Sequence, residues 1–222
     1  VIIGQFAAPG RRLHIGARNS AIVDADACPQ ATSPGQTTPD APTETIVKVF
    51  GITGSSGSGK TTLLDQLIPC FVGAGLRVAG VKHTHHGFDP DTPGKDSWRM
   101  REAGCANVVL VGARHLTLMR HYPEAVPSPE LDDALAVLPP DTDLVLVEGY
   151  KRSDFPKLEV YRPALGRTPL WDEVPGVVAV ASDDPAAVAA MTALPVLDLN
   201  DPQAVFAFIR DFPKRDYPGR AG

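Results

Sequence analysis

Residues 54–61 read GSSGSGKT, a complete G-x-x-x-x-G-K-[ST] pattern. No other stretch constrains the fold as tightly, because the pattern functions only between a β-strand and the start of an α-helix. Both flanks agree. "TIVKVFGIT" (45–53) is apolar and β-branched, and "KTTLLDQLIPCFVGAG" sets Leu63, Leu64, Leu67, Ile68, Phe71 and Val72 on one helical stripe, with Pro69 expected to bend it and Gly73 or Gly75 to end it. Three glycines allow the loop backbone to curl with its N–H groups inward, and the helix adds its positive end. Gly54, Ser55, Ser56, Gly57, Ser58, Gly59, Lys60, Thr61 and Thr62 are thus candidate phosphate-cradle residues. Lys60 is suited to reach β- and γ-phosphates, and the Thr61 hydroxyl to ligate Mg²⁺. The pattern points to a nucleoside triphosphate site.

Further strands are expected at 76–83, 106–112, 143–150, 157–162, 176–182 and 195–201. Several are continuously apolar, as in a parallel sheet covered on both faces. Short helices are expected at "KDSWRMREAG", "SPELDDALAVLP" and "DPQAVFAFIRDF". Alternating strand and helix predict an α/β fold, a P-loop NTPase-type three-layer sandwich with a mainly parallel sheet. Between 157–162 and 176–182 no helix is evident, so an antiparallel excursion is expected there. "PQATSPGQTTPDAPTET" (29–45) has almost nothing to bury and reads as linker. Residues 1–44 are accordingly expected to be a disordered extension without a strand, 45–213 the folded domain, and 214–222 a tail.

Net charge −5 argues against a nucleic-acid-coating surface. No apolar run approaches the ~20 residues that span a bilayer, and the N-terminal segment does not read as a signal peptide, its apolar stretch preceding its basic residues. Cys28, Cys70 and Cys105 are dispersed, without a CxxC pair, which fits a reducing cytoplasm.

A P-loop protein needs an acidic residue at the end of a second strand, and "DLVLVEGY" supplies Glu148, followed by Gly149. Glu148 is the candidate catalytic residue, holding Mg²⁺ through water or orienting an attacking water. Asp143 begins the same strand and belongs to the opposite end of the sheet. The guanine-reading pattern N-K-x-D is absent. Asp183 and Asp184 follow a strand and suit either a guanine contact or a helix cap before Pro185, the cap being favoured by local chemistry alone.

"VKHTHHGFDPDTPGKDSWR" (81–99) leaves the strand after the P-loop helix, so Lys82, His83, His85 and His86 emerge on the triphosphate edge. Three readings stay open: a nucleotide-edge or partner loop, a transition-metal site on His83 and His85 with a carboxylate, or solvated surface histidines.

Taken in order, "GITGSSGSGKTTLLDQLIP", "GVKHTHHGFDPDTPGKDSWRMREAG", "LVLVEGYK", "PKLEVYR" and "VVAVASDDP" resemble the MobB family, the molybdopterin-guanine dinucleotide biosynthesis proteins B, over about residues 46–210. The resemblance implies a P-loop GTP-binding protein with slow GTP hydrolysis at most. It also implies a homodimer that assists a MobA-like guanylyltransferase in joining GMP to molybdopterin. On that basis GTP and Mg²⁺ are the expected cofactors. Lys82–His86, Asp89, Asp91, Gly94, Lys95, Asp96 and Ser97 become a signature loop facing nucleotide, pterin or partner. Glu148, Gly149 and Lys151 match E-G-[FY]-K, and Asp183 rises as a guanine contact. A small-molecule kinase and a metallochaperone GTPase are the alternatives carried by the P-loop and the histidines.

Overall fold

The computed structural model describes residues 2–4, 47–84, 88–122 and 129–214. In chain order the elements are β1 (Ile2–Gly4), β2 (Lys48–Thr53), α1 (Lys60–Gly73), β3 (Val78–Lys82), α2 (Asp96–Glu102), β4 (Asn107–Val111), β5 (Leu116–Arg120), α3 (Leu131–Ala136), β6 (Leu144–Glu148), β7 (Lys157–Tyr161), β8 (Val177–Ser182), α4 (Pro185–Ala189), β9 (Val196–Asp198) and α5 (Pro202–Asp211). They form two compact units, one built from 1–41 and 89–126, the other from 42–88 and 127–222.

The larger unit is the α/β layer structure expected. Its six-stranded sheet has the order β3-β6-β2-β7-β8-β9, every pairing parallel. β6 shows why: Leu144 and Leu146 pack into the cluster holding α1 and α5, while Val145 and Val147 pack against Leu131 and Leu135 of α3. A strand buried on both faces has no polar side to alternate with. Parallel pairing also brings the C-terminal ends of β2, β3, β6, β7 and β8 to one edge. Asp143 lies at the other edge, where hydrogen bonds from Arg77 hold its carboxyl down at about 2.

Helix α1 buries Leu63, Leu67 and Phe71, whereas Ile68 and Val72 are exposed. Residues spaced by four follow one narrow stripe, and the neighbouring stripe lies about 100° further round. The helix continues past Pro69 to Gly73, and Gly75 then takes a positive φ. Phe71 meets Phe206 of α5 at 4.9 Å between ring centroids. Lys48 donates to the carbonyls of Arg210 and Phe212, closing the C-terminus of α5 onto the sheet. Helices α4 and α5 start alike, each with an Asp accepting first-turn N–H bonds and a Pro behind it.

Two expectations about strands need correcting. β7 and β8 are parallel, not an antiparallel excursion. The link over 162–176 is long enough for a crossover without an α-helix; it uses a 3₁₀ turn at Pro163–Leu165, and Trp171 packs edge-on against Tyr161 at 5.2 Å. The antiparallel pairing lies in the smaller unit instead. There β4 and β5 make a hairpin, and β1 pairs antiparallel with β5 through Ile2–Leu118 and Gly4–Leu116. A strand at residues 2–4 was not expected in the extension; residues 5–46 lie outside the described residues.

Truncating Phe71, fully buried between α1 and α5, tests this packing. Phe71→Ala is expected to lower unfolding free energy by about 3 kcal/mol or more, measured as a shifted urea midpoint at constant slope.

Candidate functional site

The loop between β2 and α1 curls because three of its residues occupy backbone conformations that glycine tolerates. Gly54, Gly57 and Gly59 have φ of 141°, 80° and 104°. At Gly54 space matters too, since a Cβ there would sit 2.4 Å from the Val160 carbonyl oxygen. Lys60 folds back over the loop, its amine donating to the carbonyls of Gly54 at 3.1 Å and Ser55 at 2.8 Å. Ser58 N–H donates to the Ser55 carbonyl at 3.3 Å. The hydroxyls of Thr53 and Ser58 are buried without a hydrogen-bond partner among the described residues. Buried hydroxyls lacking partners are costly, and oxygen-rich phosphate would satisfy them. Ser56, Thr61 and Thr62 are exposed, with Thr61 and Thr62 in the first turn of α1.

Beside the loop stands Glu148, the last residue of β6, in register with Ile52 on one side and Lys82 on the other. Its carboxylate is 3.4 Å from the Lys82 amine. Burial lowers the Lys60 pKa, Glu148 partly restores it, and Lys151 and Lys82 push it down further. Lys60 thus feels one carboxylate and two further lysines, an excess of positive charge that favours an anion.

The backbone after Glu148 makes two successive left-handed residues, Gly149 at φ 102° and Tyr150 at φ 47°. The second is uncommon for a bulky residue. The kink lets His83 close in: its N–H donates to the Glu148 carbonyl at 2.8 Å, and its ring packs on Tyr150 at 4.4 Å. A Cβ on Gly149 would come within 2.7 Å of the His83 Cβ. His83 is therefore integrated into the end of the sheet. His85 and His86 lie outside the described residues, among which no group of three His, Cys, Asp or Glu is placed to hold a metal ion.

Asp96 begins α2 in the smaller unit. Its neighbours in the signature loop engage one another: Asp89 pairs with Arg101 at 2.8 Å, and Asp91 accepts from Thr92 N–H and the Ser97 hydroxyl. After β8, the two aspartates divide their work. Asp184 caps α4 by accepting from Ala187 N–H at 3.1 Å, and Asp183 pairs with Arg162 at 2.6 Å.

Two residues of this edge were not proposed as site residues from the sequence. Arg162, just beyond β7, reaches both Asp183 and the Ser58 carbonyl. Glu159 is buried on β7 opposite Thr53, and burial pushes its carboxyl up to about 7, against the N–H bonds it accepts from Leu170 and Trp171. Within "PKLEVYR", a charge inside a strand otherwise buried was the available signal for Glu159. Arg162 carried no local signal, because its partners are distant in sequence.

A parallel sheet with a glycine-lined loop at a helix start, a lysine across it and an acidic strand end alongside defines a P-loop NTPase-like fold. The sequence pattern described as "MobB: Molybdopterin guanine dinucleotide synthesis protein B" matches residues 49–183. The chain belongs to the MobB family. It is 38% identical to a molybdopterin-guanine dinucleotide biosynthesis adapter protein of Haemophilus influenzae, over 75% of this chain and 89% of that one. With the protein of the same name from Escherichia coli it shares 36% identity, over 75% and 93%. Among solved structures, a MobB homologue from Bacillus stearothermophilus superposes with a TM-score of 0.52 at 27% identity, covering 73% of this chain and 95% of that one. Bacillus subtilis MobB gives 0.56 at 25%, covering 76% and 99%.

Gly149→Ala is expected to lower stability by about 2 kcal/mol or more, through the clash with His83 and the positive φ, read as a fall in Tm. Glu159 gives a pH dependence. Its folded-state pKa of about 7 exceeds the ordinary 4.5, so the folded state holds the proton more tightly. Stability should fall as pH rises from 4.5 through 7. In Glu159→Gln this decline is expected to flatten, measured by urea unfolding across that range.

Proposed function

We propose that this chain is a GTP-binding adapter in the assembly of molybdopterin guanine dinucleotide, acting by nucleotide-dependent docking. The observation that carries the reading is the phosphate cradle in a member of this family: left-handed glycines, Lys60 bridging two loop carbonyls, and the buried Ser58 and Thr53 hydroxyls without partners. Its relatives are named as adapter proteins of that pathway.

The residues present fit a Mg²⁺-nucleoside triphosphate. Gly54–Lys60 would hold the phosphates, with Lys82 and Lys151 adding positive charge at the same edge. Thr61 would ligate Mg²⁺, and Glu148 would hold it through water. Held there, Mg²⁺ would supply positive charge to offset that of the phosphates. Asp183, at the end of β8, would accept the N–H groups of guanine. Glu148 is already engaged by Lys82, and a carboxylate so occupied suits slow hydrolysis at most. The partners in this reading are a MobA-like guanylyltransferase, molybdopterin and a second copy of the chain, in the cytoplasm. Among the described residues no helix is long and apolar enough to cross a membrane.

Calorimetric titration with GTP and ATP in Mg²⁺, on wild type and Lys60→Ala, tests this. GTP is expected to bind more tightly than ATP, and Lys60→Ala to weaken GTP about tenfold or more, as for loss of a charge-assisted contact. A guanylyltransferase pull-down should then depend on GTP. Equal or tighter ATP binding would sink the assignment and favour a small-molecule kinase.

A further inference from the structure

Arg162 spans two places that a nucleotide would have to join. It leaves the end of β7, the strand between the P-loop strand β2 and the strand β8 that delivers Asp183. Its Nε donates to the Ser58 carbonyl at 2.9 Å, and its Nη1 donates to Asp183 Oδ2 at 2.6 Å. A third atom, Nη2, lies 3.4 Å from where a Cβ on Gly59 would stand. The guanidinium therefore lies along the phosphate loop at one end and grips the carboxylate at the other.

We infer that Arg162 is a positioning residue for base selection: it locks Asp183 in place and ties that carboxylate to the conformation of the phosphate loop. The inference rests on the GTP reading above and deepens it.

The chemistry of the grip supports this role. An ionised carboxylate has two acceptor oxygens and about four acceptor sites. Arg162 engages one oxygen, so Asp183 keeps acceptor capacity for a ligand on the other. Guanine presents two adjacent donors on its Watson–Crick edge, N1–H and the N2 amino group. Adenine presents an acceptor at N1, which a fixed carboxylate repels. A carboxylate free to turn toward water would discriminate less, since orienting it would cost part of the binding energy. The guanidinium is planar and rigid, and it reaches two acceptors in divergent directions; an ammonium offers donors from a single point. Side-chain exposure of 36% for Arg162 and 29% for Asp183 means that the pair adds little to stability. Its geometry is thus not required for folding, and variants should fold.

The test is a set of titrations with GTP, ATP and xanthosine triphosphate in Mg²⁺, on wild type, Arg162→Met, Arg162→Lys, Asp183→Asn and the Arg162→Met/Asp183→Asn double variant. Wild type should prefer GTP over ATP, and Asp183→Asn should move preference toward xanthosine triphosphate. Arg162→Met is expected to cut the GTP-to-ATP affinity ratio about tenfold, the size of one charge-assisted hydrogen bond, beyond any loss that both nucleotides share through the Ser58 contact. Arg162→Lys should fail to restore the ratio, and it carries the test alone should the Met variant not fold. In the Asp183→Asn background, Arg162→Met should leave the ratio unchanged.

Equal losses for both nucleotides in Arg162→Met would make Arg162 a mere prop of the loop and overturn the inference. An unchanged ratio would overturn it as well, and so would Asp183→Asn with wild-type preference. In each of these cases GTP selectivity of the wild type leaves the adapter reading standing. A wild type indifferent to the base overturns both.

Discussion

The parallel pairing of β2 with β6 on one side and β7 on the other is the constraint on which the site depends. Because the three strands run the same way, the P-loop, Glu148 and Arg162 all emerge at one edge. β2 and β6 are buried on both faces, by α1 and α5 on one side and by α3 on the other. A register slip on β6 would exchange Val145 and Val147 for Leu144 and Leu146 and turn Glu148 away from Lys82. Core packing and site geometry are one specification here.

At that edge the molecule combines order with unfulfilled polarity. The cradle backbone sits in conformations only glycine accepts readily, Lys60 is spent on loop carbonyls, and the Ser58 hydroxyl is buried with no partner among the described residues. Around Lys60, Lys82 and Lys151 outnumber the one carboxylate, Glu148.

The same edge shows how charge inside a sheet is managed. Glu159 is buried on β7 and accepts N–H bonds from Leu170 and Trp171, fastening the link between β7 and β8 that the sequence suggested was antiparallel. Lys157, on the same strand, is fully buried with its amine on the carbonyls of Phe155 and Pro175. Two charged side chains tie a connection without an α-helix to the strand it leaves.

The loop between β2 and α1, the place of Glu148 at a strand end and the parallel α/β class were legible in sequence because their signals are local: a loop motif between periodic segments, and apolar runs too continuous to face water. The Asp-Pro starts of α4 and α5 were legible for the same reason, as a cap binds its own first turn. Of the two aspartates before α4, Asp184 forms the local cap, whereas the pairing of Asp183 with Arg162 came only with the fold. Strand direction at β8, the exposure of Ile68 and Val72, and the pairing of β1 with β5 were likewise tertiary decisions. Each depends on which surface a distant segment covers, and a periodicity read along one chain segment carries no information about that surface.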